Sequence, residues 1–481
     1  MYDEKEKISA AAALNRPFTA DAEKVNAGLN KALSTLDKKI IVLDDDPTGI
    51  QTVHGVSVYT DWTYEMILEG FNEKNSLFFV QTNSRSFSAQ KTEAVHTEIA
   101  KNIVKASRET GRDYIVISRG DSTLRGHYPL ETETLKKTLE GEDGKKFDGE
   151  IIAPFFLEGG RYTLNNIHYV RYGDTLVPAG ETEFANDSAF AFRSSHLGKW
   201  VTEKSCGMYD YRNFAYITLD ELRSGDVEGI EKKLCEVKDF NKVILNAIAY
   251  EDLAVFCTAY ANAVKKGRNF LWRSAASVVR VLGGIEPKPL LERDELVPDD
   301  SKNGGVIIVG SHVAKTSRQL AALKASGLPI EYIEFNQHRA LEQGGLEDEA
   351  RLAVLKAENS VKNGKTVAVY TRREKLELPD LDQQSQLKLS VEISGALTGV
   401  VEKLTVRPSF IVAKGGITSS DVGVRALHVK RATVLGQILP GIPVWRTGAE
   451  CKFPGISYVI FPGNVGSDDD LLNAVRKLTG R

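Results

Sequence analysis

The sequence predicts an α/β protein of two domains, each a mostly parallel sheet flanked by helices, with the functional site expected in the cleft between the domains. Three observations lead there. Short apolar runs rich in Val, Ile and Phe alternate with longer polar stretches of helical composition, the signature of strands crossing over through helices. The chain of 481 residues is about three times a usual domain of roughly 150 residues. A polar, proline-containing stretch divides the apolar runs into two sets.

In chain order, residues 1–37 have helix-forming composition with a turn near Asn15 to Pro17, and predict a helical N-terminal extension without chemistry of its own. The first domain is expected over 38–285. Its strands are Lys39–Leu43, Leu77–Gln81, Tyr114–Ser118, Glu150–Pro154, Lys242–Asn246 and Phe270–Trp272. Residues 286–304 have the composition of a linker. The second domain, 305–481, carries strands at Gly305–Val309, Glu331–Phe335, Thr366–Tyr370, Phe410–Ala413, Thr433–Leu435 and Tyr458–Phe461. Continuous apolar runs of this kind belong to strands buried on both faces, hence to largely parallel sheets.

Apolar residues at 42% and charged ones at 26% are ordinary globular values, which leave no reason to invoke disorder. A net charge of −3 supplies no basic field for a polyphosphate backbone, so nucleic acid is not an expected partner and a small ligand is. No apolar run approaches the roughly 18 residues of a membrane span, so no span is expected, and the charged, alanine-rich first forty residues lead us to expect no export signal. Cys206, Cys235, Cys257 and Cys451 stand far apart without a C-x-x-C pair, which fits reduced thiols in the cytoplasm. The histidines lack H-E-x-x-H or similar spacing, so no dedicated metal site is expected.

Ligands of open α/β sheets bind beyond the carboxyl ends of the strands, so the residues that follow each run are the informative ones. In the first domain these are Asp44-Asp45-Asp46-Pro47-Thr48-Gly49, Thr82-Asn83-Ser84-Arg85 and Arg119-Gly120-Asp121-Ser122-Thr123-Leu124-Arg125. Successive aspartates after a buried strand repel one another at a cost that stability alone does not explain. Asx turns before Pro47 and Gly49 are the bland alternative, above all for Asp44. Asp45 and Asp46 can orient hydroxyls or accept a proton, and Asp121 and Ser122 are placed for ligand contact. Arg85, Arg119 and Arg125 bring guanidinium forks that match a carboxylate, with surface ion pairs as the alternative. Such a site calls for an anion that carries hydroxyls.

The strand ends of the second domain are glycine- and hydroxyl-rich: Gly310-Ser311-His312, Lys414-Gly415-Gly416-Ile417-Thr418-Ser419-Ser420, and Pro462-Gly463-Asn464-Val465-Gly466. Glycines let backbone N–H groups approach phosphate oxygens, and a helix opening at Ser419 or Ser420 would add its positive end. A plain strand-to-helix turn is the alternative. Neither G-x-x-x-x-G-K-[ST] nor a G-x-G-x-x-G between strand and helix occurs, so a phosphate site here is of another type.

Together, the aspartate pair with Thr48-Gly49, Thr82-Asn83-Ser84-Arg85, Asp121-Ser122-Thr123-Leu124-Arg125-Gly126, the spacing of Gly310, Ser311, Thr316 and Gln319, Gly415-Gly416-Ile417-Thr418 and the closing Pro462-Gly463-Asn464-Val465-Gly466 resemble the four-carbon acid sugar kinase family. The likeness covers roughly residues 38 to 479. It implies a cytoplasmic enzyme that uses ATP, with Mg2+ arriving on the nucleotide, to phosphorylate a sugar acid such as threonate, erythronate or 3-oxo-tetronate. Substrate contacts then fall on Asp45, Asp46, Arg85, Arg119, Asp121 and Ser122, with Asp46 and Asp121 catalytic. Nucleotide contacts fall on Ser311, Gly415, Gly416, Ile417, Thr418, Gly463 and Asn464. The sequence departs from the family's commoner pattern at Asp44 and Pro47, at Arg119 where a lysine is usual, and in the closing motif, where Phe461-Pro462 stands for Lys-Ser, which removes a lysine and leaves Lys414 or an arginine of the other domain to supply the charge. Partners are the sugar acid and ATP, with a homo-oligomer left open. A non-catalytic sugar-acid sensor on the same scaffold is the alternative, and a nicotinamide-dependent oxidoreductase is the remoter one, lacking its fingerprint.

Overall fold

The computed structural model describes residues 4–298, 301–376, 378, 383–463 and 465–481. The chain forms two compact units. One comprises the chain up to Val53 together with Asp61–Pro287; the other comprises His54–Thr60 and Lys288–Arg481.

In the first unit the main sheet runs Ala215–Ile217, Asn241–Leu245, Gly149–Ala153, Phe270–Ser274, Tyr114–Arg119, Lys39–Asp44, Leu77–Gln81, each parallel to its neighbour. Every residue of Lys39–Asp44, Leu77–Gln81 and Tyr114–Arg119 is buried, the reason their runs are uninterrupted. Helices cover both faces. Ala89–Thr110 is a typical one: Ser88 caps it by accepting from Lys91 N, and Gly111 ends it in the left-handed region. Trp272 closes the core with its ring edge-on to Tyr260 at 4.9 Å. Register places Gln81, Asp44, Arg119 and Ser274 side by side at the carboxyl edge, so residues distant in sequence meet there.

A second, antiparallel sheet of Ile8–Ser9, Thr175–Pro178, Ile167–Tyr172 and Arg161–Leu164 was not anticipated. Its strands are short and carry Arg, His and Tyr, so they lack the apolar continuity of the main sheet. The N-terminal extension contributes Ile8–Ser9 to it and is otherwise helical over Ala10–Leu14 and Ala22–Ser34.

In the second unit Ile330–Phe335, Thr366–Thr371, Val306–Val309, Phe410–Lys414 and Ser457–Phe461 are parallel. The expected strand near Thr433–Leu435 is longer, Arg431–Leu439, and forms an antiparallel hairpin with Ile442–Thr447 through Pro440 and Gly441. Its other edge takes Ser57–Tyr59, clasped by Gly55 N to Val434 O at 2.7 Å and Thr60 N to Lys430 O at 3.0 Å. Within 286–304, Leu291, Leu296 and Val297 pack into this unit's core beside Ile438 and Val444. Among the described residues no helix is long and apolar enough to cross a membrane.

Candidate functional site

At the carboxyl edge of the first unit the acidic and basic side chains interlock. Asp44 and Arg119 are paired neighbours in the sheet, and Arg119 Nη1 donates to Asp44 Oδ1 at 2.9 Å and lies 3.5 Å from Asp45 Oδ1. All three are buried, Arg119 to 5% exposure and Asp44 to 2%. Burial, opposed by Arg119, raises the Asp44 carboxyl to about 7; burial likewise raises Asp45. Arg119, expected among the substrate contacts, is thus engaged by Asp44 and Asp45. Asp45 also accepts from Asp121 N at 3.2 Å, which ties the first strand end to the third. Gly49 keeps this packing possible, because a methyl there would collide with the Asp44 carboxylate.

Above this buried layer lie the accessible groups. Asp46 Oδ2 pairs with Arg85, while Asp46 Oδ1 accepts from Thr48 N at 2.8 Å and Thr48 Oγ1 at 2.5 Å. Arg85 also reaches Asp121 Oδ1 at 3.4 Å. Asp121 Oδ2 accepts from Arg125 Nε at 2.7 Å and from Thr123 Oγ1. Burial disfavours the Asp121 charge, but Arg85 and Arg125 outweigh it and hold this carboxyl well below the usual range. It is a fixed counter-charge.

The antiparallel sheet contributes residues that no strand-end motif marks. His168 is fully buried, with Nε2 2.7 Å from Ser122 O and Nδ1 3.0 Å from Thr163 Oγ1. Burial lowers it to about 4, so it is a neutral strut under Ser122. Arg161 shares the field of Asp121 and, like Arg125, lies over the Phe184 ring. Arg273, also buried, donates to Arg125 O at 3.1 Å.

The second unit brings two of its glycine-rich strand ends, Gly310–His312 and Gly415–Thr418, together at a cavity of about 330 Å³ that Gln337, Leu376, Ile393 and Leu397 also line. Gly415 has φ +122°, and a Cβ there would stand 3.0 Å from Ser311 Cβ; only glycine allows the chain through. The helix begins at Gly416, earlier than expected, and spans Gly416–Asp421. Ile417 is 72% exposed and Thr418 is buried.

The spacing of Ser311, Thr316 and Gln319 has a plain mechanical reading. Gln319 Nε2 donates to Val465 O at 3.1 Å and Ser467 O at 2.7 Å, Thr316 Oγ1 to Gly463 O at 3.0 Å, and Lys315 Nζ to Gly466 O at 2.9 Å. The helix Ala314–Ala325 thereby grips the closing loop and holds Gly463 beside Ser311. Lys414, considered as a source of phosphate-binding charge, is fully buried and donates to the carbonyls of Pro462 and Gly463; burial lowers it to about 7. Its amine is spent on the loop. Arg373, which sequence did not single out, donates to Ser311 O at 2.7 Å and Ser317 Oγ at 2.8 Å. Among the described residues its Nη1 finds no partner. Asn464 lies outside the described residues. No group of three or more metal-ligating side chains assembles among the described residues.

Comparison with known proteins gives the two units separate affinities. The sugar-binding N-terminal domain family matches residues 40–282, and the nucleotide-binding C-terminal domain family matches 306–471. A search of curated proteins finds no match. Among solved structures, a Salmonella typhimurium LT2 protein with a provisional tRNA synthase label is similar at 16% identity and TM-score 0.65, covering 91% of this chain and 99% of its own. A Haemophilus influenzae protein of the DUF1537 family is similar at 17% identity and TM-score 0.58, covering 91% and 100%. At these identities the likeness is one of fold.

Proposed function

As the chain belongs to the four-carbon acid sugar kinase family, we propose that it is an ATP-dependent kinase that phosphorylates a hydroxyl of a small sugar acid, with four-carbon acids such as threonate, erythronate or 3-oxo-tetronate as the substrate class. The observation that carries the proposal is the presence, in one chain, of an accessible Asp46–Arg85–Asp121–Arg125 cluster and a glycine cradle that opens on a cavity.

In this reading Arg85 and Arg125 hold the substrate carboxylate, and Arg119 stays below as the counter-charge that keeps Asp44 and Asp45 in place. Asp46, at 19% side-chain exposure, orients the reacting hydroxyl and accepts its proton. Asp121 fixes the two arginines; a carboxyl held so far below neutral pH is poorly matched to proton abstraction. Ser122, seated on His168, adds a hydroxyl contact.

The cradle fits a phosphate chain, because a Cβ at Gly416 would meet nothing within 4 Å while Gly415 is hemmed in by Ser311 and Thr418. Backbone N–H groups of Gly416 and Ile417, with Ser311 and Thr418 hydroxyls, would hold the phosphates, and Gly463 would border them. Magnesium carried by the nucleotide neutralises phosphate charge when bound.

The test is ADP release in a coupled assay with magnesium and ATP over both enantiomers of threonate and erythronate and over 3-oxo-tetronates, with glycerate and larger aldonates as controls. Release that depends on a four-carbon acid is the expected result. Silence across the panel with sugar acid still bound would instead favour a non-catalytic sensor.

A further inference from the structure

One polar group in the wall of the second unit's cavity is left unused by the phosphate reading. Gln337 directly follows the strand Ile330–Phe335 and its connecting residue Asn336, lines the cavity and is 1% exposed. Its Nε2 donates to Arg372 O and to Glu374 O, both at 2.8 Å. These bonds use both amide hydrogens and fix the orientation of the group, since a flip would set Oε1 against two carbonyl oxygens. Oε1 is therefore an acceptor, and among the described residues no donor reaches it. A buried acceptor without a donor is unfavourable, so a ligand N–H that meets it gains more than an exposed hydrogen bond would.

Position and lining suit a nucleotide base. From Lys414 the sheet passes through Val309 and Tyr370 to Glu334, three strand spacings, so Gln337 lies about 14 Å across from the glycine cradle. Leu376, Ile393 and Leu397 supply apolar wall to the same cavity, the kind of surface on which a flat ring rests.

We propose that Gln337 reads the base of the nucleotide by accepting a hydrogen bond from the exocyclic amine of adenine, and that it disfavours a purine with a 6-oxo group, whose oxygen would face Oε1. The proposal rests on the reading of this unit as the nucleotide site. It is tested by calorimetric titration of the full chain with ADP, with purine riboside diphosphate, which lacks the amine, and with inosine diphosphate. Loss of the amine should weaken binding by about 10- to 100-fold, with the 6-oxo analogue at least as weak. In Gln337→Met the preference for ADP over the amine-free analogue should collapse. That ratio reports base reading even where the variant loosens the 372–374 backbone and binds every nucleotide less well. Equal binding of ADP and purine riboside diphosphate by the wild type overturns the proposal, as does a preference that survives in Gln337→Met. Failure of all three nucleotides to bind overturns the nucleotide reading itself.

Discussion

Replacing Asp46 by asparagine separates chemistry from folding, because the two costs differ in size. Asparagine keeps an oxygen for the two Thr48 donors but removes the charge that faces Arg85. Arg85 retains Asp121 at 3.4 Å, so its guanidinium is not stranded. The lost pair is partly exposed, with side chains at 21% and 19%, and costs about 1–2 kcal/mol of stability. Against a typical stability of about 5–15 kcal/mol, the folded state remains overwhelmingly populated. If Asp46 takes the proton of the attacking hydroxyl, turnover should fall by about 100-fold or more, equivalent to roughly 3 kcal/mol of barrier. Turnover from ADP release, read beside denaturant unfolding of the same preparation, makes the comparison. A variant that keeps turnover near the wild type refutes the assignment, and one whose activity loss merely tracks unfolding refutes the separation.

Three further outcomes are expected. Gly415→Ala, which forces a side chain into φ +122° against Ser311, should weaken ADP binding by about 10-fold or more; unchanged affinity in a titration would remove Gly415 from the cradle. Gln319→Ala frees the carbonyls of Val465 and Ser467 and should cost about 1–3 kcal/mol in denaturant unfolding together with nucleotide affinity, whereas loss of stability alone would separate the loop from the ligand. Lys414 titrates near 7 when folded against 10.5 ordinarily. Between those values the unfolded chain keeps a proton that the folded chain has released, so this group makes stability rise with pH. Lys414→Met should abolish that rise in unfolding curves taken from pH 7 to 9, and parallel profiles for the two proteins would refute the burial argument.

The strands of both main sheets were legible because parallel strands buried on both faces leave continuous apolar runs, and the polar clusters were legible because they follow those runs. What sequence could not supply was register. Whether Arg119 points at a ligand or at Asp44 depends on which residues stand side by side in the sheet, and the pairing that decides it joins segments 75 residues apart. The same holds for Lys414, whose charge reads as available until Pro462 and Gly463 are seen to occupy it. His168 and Arg161 stand on strands of mixed polarity, and Gln337 follows a strand whose end carries no glycine or aspartate, so none of the three carries a strand-end signal in the sequence. The motif of Ser311, Thr316 and Gln319 was visible, but its task of gripping a loop near the other end of the unit's sequence was not.

The short strand Ser57–Tyr59 gives the chain a timing problem during synthesis. Arg431, whose guanidinium meets Ser57 Oγ at 3.2 Å, lies 374 residues later. At about 5–20 residues per second the ribosome needs roughly 20–75 s to cover that interval. Throughout it the segment His54–Thr60 lacks its second-unit partner strand Arg431–Leu439, although the residues of the first unit that flank it in sequence on both sides have long been synthesised. The second unit is in turn discontinuous in the gene: a fragment that starts at Lys288 would leave the outer edge of Arg431–Leu439 with open N–H and C=O groups, a template for pairing with other copies. Cutting this protein into its halves therefore calls for returning residues 54–60 to the second half as a peptide or a grafted strand.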